Sequence, residues 1–288
     1  MAESPSHKLG QIIGTMLEAT VLPELRTFCE RYGLYLDSGG PRPGVRTGTK
    51  ASWRDKFDNS HDLDFIVEVD GAHDRQGRPL AFIECAWRRY TKHSRNKAQE
   101  IQGAVLPIAE KHHWDRPFLG AVLAGEFTES SLTQLRSNGF AIVYLSYSLL
   151  QEAFAQEGVD ITFNEKTSDD WFSRTIAGLT GDAAISNRIV ERIRIAARPQ
   201  FNTFFEQLEK RLERFVEKLT VVPLFGAEAI FDSVDAALAF LASGKLEAAE
   251  KPDLKKVEVV VRYSNGDRLE AQFADVAQAA DFLRYVAR

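Results

Sequence analysis

Leu9, Ile12, Ile13, Met16 and Leu17 recur at the three-and-four spacing of one helical face, so the chain is predicted to open on an amphipathic helix. Leu25, Phe28, Cys29 and Tyr32 continue the face, and Pro23 predicts a kink or break near Val21 and Leu22. A short strand at 34–36 follows. Residues 38–61 then carry Gly39-Gly40-Pro41, Pro43-Gly44 and Asn59-Ser60, turn chemistry that reads as one long loop. Leu63, Phe65, Val67 and Val69 alternate as a strand should. With the apolar run 80–87 and the Asp70-Gly71 and Gln76-Gly77 breaks between them, they predict a hairpin. Ala98, Ile101, Val105 and Ile108 predict a helix over Ser94–Lys111. Strands at 118–123 and 141–145 and helices at 130–137 and 149–156 complete an α/β pattern, a mixed central sheet flanked by helices over 1–160.

The second half changes character. Residues 161–218 read as a helical connector, with Pro199 as a break and a stripe of Phe201, Phe204, Phe205, Leu208, Leu212 and Phe215 suited to helix packing or a dimer seam. Residues 219–288 read as a small α+β module with a weak internal repeat. Phe231, Val234, Ala237, Phe240 and Leu241 return 42 positions later as Phe273, Val276, Ala279, Phe282 and Leu283. Strand-like runs at 219–224 and 257–263 precede the two copies, Ser264-Asn265-Gly266-Asp267 signals a tight hairpin, and a charged linker at 244–256 separates the copies. Two copies are too few for a solenoid, so a pseudo-symmetric module is expected.

Composition narrows the function. The 288 residues are 44% hydrophobic and 27% charged, which suits a folded globular chain. A net charge of −5 excludes a simple basic-tail nucleic-acid binder, so a nucleic-acid surface must be a local patch. Cys29 and Cys85 have no metal-ligand spacing and suggest a reducing compartment. The first residues lack a signal-peptide pattern and no run approaches 18 apolar residues; a cytoplasmic protein without a membrane partner is expected.

The informative chemistry lies between 59 and 103. Asp62 and Asp64 open one strand and Glu84 lies on its hairpin partner. Carboxylates side by side on adjacent strands suit Mg²⁺, a hard ion that takes oxygen ligands and keeps several waters. Glu84 sits inside Ala81-Phe82-Ile83-Glu84-Cys85-Ala86-Trp87, where an acid is costly without a partner. Directly after it, residues 87–97 hold five Lys or Arg, one His and two aromatics without an acid. Arg88, Arg89, Lys92, His93, Arg95 and Lys97 there read as a phosphate-binding surface, or more blandly as a solvated helix start. Arg42, Arg46, Lys50, Arg54 and Lys56 make the 38–61 loop basic as well, so that it either closes over a nucleic acid or is disordered. His112-His113 lacks a third ligand at metal spacing, Gly178 and Gly181 make no phosphate loop, and Ser146 and Ser148 have no nucleophile-elbow context.

On these residues the segment from the first helix to about residue 150 resembles the PD-(D/E)xK nuclease superfamily, the restriction-endonuclease-like fold. The resemblance implies Asp64 and Glu84 as the two motif acids, the Cys85 carbonyl as a main-chain metal ligand and Glu18 as the first-helix acid. It also implies Gln99 or Gln102 as the helix glutamine. The implied activity is Mg²⁺-dependent (or Mn²⁺-dependent) hydrolysis of DNA phosphodiesters in restriction or phage defence, by a homodimer or a larger defence complex. Where the family has its lysine, this chain has Ala86. A relocated cation is therefore expected, either Lys97, which like Gln102 borders the apolar stripe at about 70° from its centre, or Lys92 just before the helix. The alternative is a degenerate nuclease fold that serves as a DNA-binding or scaffold subunit.

Overall fold

The computed structural model describes residues 4–223, 227–246 and 256–287. It divides into two compact units, Met1–Leu208 and Glu209–Arg288. The first unit begins with helix α1, Pro5–Tyr32, capped by the Ser4 side chain on the His7 N–H and closed by Gly33 at φ 65°. The expected break does not occur, and α1 runs through Pro23. Proline removes one N–H, but Pro23 and Ala19, whose carbonyl that N–H would have met, lie on the exposed side of the helix, while Val21 and Leu25 are buried on the other.

Strands β1 (Tyr35–Asp37), β4 (Phe65–Val69), β5 (Arg78–Arg88), β6 (Phe118–Gly125) and β7 (Phe140–Ser146) form one sheet in the order β1-β4-β5-β6-β7. The pairs β1–β4 and β4–β5 are antiparallel and β5–β6 and β6–β7 parallel, so the sheet is mixed. Helix α2 (Ser94–Lys111) lays Ala98, Ile101, Val105 and Ile108 on the face carrying Ile66, Phe82, Ala86, Ala121 and Leu123. Pleat alternation sends Trp87 to the opposite face, where Gly10 of α1 approaches its indole. Helices α3 (Glu129–Ser137) and α4 (Tyr147–Ala155) flank β7.

Residues 38–61 are not one structureless loop. They contain a separate hairpin, β2 (Ala51–Arg54) with β3 (Ser60–Leu63). Ala51, Trp53 and Leu63 from this hairpin join the core under α2. The predicted strand beginning at Leu63 is accordingly split, and a bend at Asp64 separates β3 from β4. At the hairpin tip burial pushes the Asp55 carboxyl up, but bonds from His61, Asn59 and the Phe57 N–H outweigh it and hold the group well below the usual range.

Helices α5 (Asp169–Gly181) and α6 (Ala183–Ala196) pack on α1, so 161–208 belongs to the first unit instead of standing apart as a connector. Helix α7 (Arg198–Leu212) starts at the Pro199 break and presses Phe204 onto the sheet. A Cβ on Gly120 would fall 2.7 Å from the Phe204 ring and 2.9 Å from the Ile83 side chain, so only glycine lets α7 lie this close.

In the second unit β8 (Val216–Pro223), β9 (Ala229–Phe231), α8 (Val234–Ala242), β10 (Val257–Tyr263), β11 (Arg268–Phe273) and α9 (Val276–Val286) form a four-stranded antiparallel sheet in the order β11-β10-β8-β9, with two helices. Each copy is a ββα unit, one strand more than the sequence suggested for the first. Leu219 faces Phe231 in one copy and Val257 faces Phe273 in the other, while the central strands pair Val221 with its equivalent Val259. The ring pairs Phe231–Phe240 and Phe273–Phe282, 5.3 and 5.2 Å between centroids, repeat the same lock. The predicted strand end at Leu224 and most of the 244–256 linker lie outside the described residues.

Candidate active site

The β4–β5 ladder ends at Phe65 opposite Ile83. One residue further, the same register sets Asp64 across from Glu84 on the face of Ile66 and Phe82. Beyond the ladder the Cys85 N–H has no β4 partner and donates instead to Asp64 Oδ2 at 2.7 Å. The N–H and C=O of an extended residue leave the strand on one edge, so the Cys85 carbonyl faces the same opening. Asp62, which the sequence set beside Asp64, is exposed on β3, where its carboxylate accepts from the Ser52 hydroxyl.

Burial and mutual repulsion govern the acids. Glu84 is 8% exposed, and its carboxyl is pushed up to about 8, first by desolvation and then by the Asp64 charge. Lys97 and the Asp64 main chain oppose the shift. Desolvation also raises Asp64, against the Cys85 N–H, Lys97 and Lys50. Glu18 remains open to solvent, yet the protein around it and then the Asp64 charge raise its carboxyl, with Lys50 opposing. Three carboxylates from α1, β5 and the β3–β4 bend therefore act on one another, and the Lys97 and Lys50 charges oppose their repulsion.

A divalent ion suits this set. Glu84 Oε1 is buried without a hydrogen-bond partner, and a buried acceptor left that way is expensive unless a proton or cation meets it. The donors are all oxygens, the preference of Mg²⁺. Among the described residues no group of three or more His, Cys, Asp and Glu side chains forms a ready metal cage. The set that would hold an ion is two carboxylates, Asp64 and Glu84, with the Cys85 carbonyl, and water completes such a shell for Mg²⁺.

The basic stretch separates into cations that reach the site and cations spent elsewhere. Ala86 is packed in the core beneath α2, and Lys97 on α2 supplies the positive charge felt by both Asp64 and Glu84. Lys92 pairs with Glu165 and is not among the main charges acting on the three acids. Arg89 is taken up by the fold, donating twice to the Phe163 carbonyl and stacking 4.1 Å over the Tyr147 ring. Arg88 is partly exposed, and His93, Arg95 and Gln99 are exposed around the start of α2. Gln102, the other candidate for the helix glutamine, is half-buried and exchanges hydrogen bonds with Gln134 of α3.

The basic loop is likewise mostly structural. Arg42, 1% exposed, donates to Asp37 and in bidentate fashion to Glu68 at 2.7 and 2.9 Å, bonds the Ala72 and Arg75 carbonyls, and stacks over Tyr35. Arg46 completes a balanced group of two arginines and two acids through Asp37. Burial works to raise Asp37, but the bonds from Arg46, Gly39 and Arg42 hold it below the usual carboxylate range. This buried clamp ties the start of the loop to β1 and β4, and the Lys50 charge at the loop's other end acts on Asp64 and Glu18. Residue-type patterning missed it, although Glu68 within Phe65-Ile66-Val67-Glu68-Val69 is the same signal that singled out Glu84: an acid in an apolar run needs a partner.

A separate cavity of about 320 Å³, lined by Glu24, Arg194, Arg198, Phe201 and Asn202, contains none of these acids. No helix among the described residues is long and apolar enough to cross a membrane. No protein-family model and no curated protein matches the sequence. Among solved structures the chain is similar to the crystal structure of a protein of unknown function, AF1548, at a TM-score of 0.29 and 11% identity, over 67% of this chain and 98% of that one.

Proposed function

We propose that the first unit is a Mg²⁺-dependent nuclease with a restriction-endonuclease-like core, acting on DNA phosphodiesters. The observation that carries the reading is the buried, unpartnered Glu84 Oε1 beside Asp64, with Lys97 facing both acids. Asp64, Glu84 and the Cys85 carbonyl would hold the ion. Bound there, it would supply Lewis-acid stabilisation of charge building up on the phosphate and acidify nearby water. The Cys85 N–H orients the Asp64 carboxylate. Lys97 stabilises negative charge as the phosphorus centre is attacked, the task the family gives to the lysine absent at position 86. Lys50 and Arg88 hold neighbouring phosphates by charge.

Cleavage of a supercoiled plasmid in Mg²⁺, Mn²⁺ or EDTA tests the reading. Cleavage with either metal and none in EDTA is the expected result. Ala86 favours a second reading, a DNA-binding subunit that has lost the chemistry, for which binding persists and no metal restores cleavage. Within the nuclease reading, Lys97→Ala is expected to lower kcat by about 10²-fold and to weaken binding by the smaller factor that one lost phosphate contact brings, because most of the charge it meets forms in the transition state. Lys92→Ala should leave turnover near the native rate, since that ammonium is held by Glu165. The reverse ranking in single-turnover assays would remove Lys97 from its role.

A further inference from the structure

We infer that Arg88 and Lys97 form a subsite for a substrate phosphate, and that the Glu100 carboxylate fills it in the free protein. The inference rests on the nucleic-acid reading above and adds a residue that competes with the substrate. Glu100 Oε2 lies 3.3 Å from Lys97 Nζ and 3.6 Å from Arg88 Nη2, so a single carboxylate oxygen bridges two cations, one from the end of β5 and one from α2. The Arg88 guanidinium is steadied by its other nitrogen, which donates to the Trp87 carbonyl at 2.9 Å. An anionic oxygen set between one arginine nitrogen and a lysine is the arrangement a phosphate would meet. The Lys97 charge also acts on Asp64 and Glu84, so a phosphate that takes the place of Glu100 would share its lysine with the carboxylates.

Exposure makes the exchange feasible. The Glu100 side chain is 58% exposed, and exposed ion pairs are weak and easily replaced. Glu157 is also shared by two arginines, Arg188 and Arg192, but it is 7% exposed and belongs to a fixed contact between the end of α4 and α6. Lys56–Glu110 and Lys92–Glu165 each join one cation to one acid. A polyanion brings several phosphates at once and releases counterions, which favours it over a single side-chain carboxylate.

The test is fluorescence-anisotropy titration of a labelled DNA duplex in EDTA, where neither metal nor turnover is needed. Glu100→Gln is compared with Glu110→Gln, the same change of charge on the same helix at an acid that pairs with Lys56. Glu100→Gln is expected to tighten binding by about three- to tenfold at low salt and to steepen the log–log salt slope by about 0.9 per phosphate newly engaged. Glu110→Gln should change affinity less than about twofold, as a remote charge screened by salt does. Adding Arg88→Ala to Glu100→Gln should abolish the gain. Equal tightening by the two glutamate variants, weaker binding by Glu100→Gln, or no DNA binding by any of the proteins overturns the subsite. A gain specific to Glu100→Gln in a protein that fails to cut in Mg²⁺ or Mn²⁺ upholds the subsite and removes the nuclease reading instead.

Discussion

Glu84→Gln is expected to abolish Mg²⁺-dependent cleavage and, in the same protein, to raise the stability of the metal-free fold at pH 8. Both effects follow from a buried carboxyl facing Asp64 with one oxygen unpartnered. On the nuclease reading, loss of a carboxylate that would hold the ion should reduce turnover by about 10³-fold or more, since charge stabilisation at the phosphate would go with it. The stability gain has a defined sign. With its carboxyl raised from the ordinary 4.5 to about 8, the native state binds more protons than the unfolded chain between those values, so stability falls as pH rises through that window. The penalty is absent below the unfolded value, is complete above about 8, and amounts to roughly 3–5 kcal/mol there. Asp64 and Glu18, both raised, add to it with the same sign, whereas Asp37 and Asp55, both lowered, act at more acid pH.

Urea unfolding in EDTA at pH 5.5 and pH 9 reads this directly. The wild type should lose stability between the two values, and Glu84→Gln should lose clearly less. On the nuclease reading Mg²⁺ would bind the native state and not the unfolded chain, so it should raise the wild-type midpoint most at high pH and raise that of Glu84→Gln little. A wild type equally stable at both pH values would sink the account of Glu84 as an acid held at a cost for the sake of an ion.

The second large effect is at Arg42. Arg42→Met is expected to cost about 3–5 kcal/mol, because it leaves Glu68 buried without its cation. Glu68 is fully buried, and the Gly77 N–H would remain one of its few donors. The double variant Arg42→Met with Glu68→Gln should recover part of the loss, since removing both charges costs less than stranding one. Denaturant midpoints of the three proteins check this. A double variant less stable than Arg42→Met alone would mean that packing, not charge, dominates the clamp. On the nuclease reading, any of these variants that stays folded should also cut more slowly, because the clamp holds the loop whose Lys50 charge acts on Asp64 and Glu18.

Much of the first unit was legible from periodicity. Helix α2 has the bounds its apolar spacing predicts, because a single stripe meets a single sheet face. Strands β5, β6 and β7 extend by a few residues beyond their apolar runs, as buried strands do when their ends pair. The β2–β3 hairpin was not legible, since its strands are four residues each and alternate Trp53 and Ala51 with charged or hydroxylated neighbours. Only its docking under α2 makes those few apolar side chains a face.

By itself the sequence determined local periodicity, the density of charge after Glu84, and the fact that an acid inside an apolar run needs a partner. Those are properties of neighbours along the chain, and they drew attention to Asp64 and Glu84, while Lys97 entered as one of two candidates for the lysine that the resemblance implies. Which partner each group found was decided by the fold. Identical chemistry had different outcomes: Glu68 met a buried arginine while Glu84 kept a bare oxygen, and Arg89 was absorbed by the Phe163 carbonyl while Arg88 and Lys97 stayed at the surface with Glu100. The physical reason is that a charge settles with whatever the three-dimensional packing brings within a few ångströms, and residue spacing carries no record of that for groups far apart in the chain.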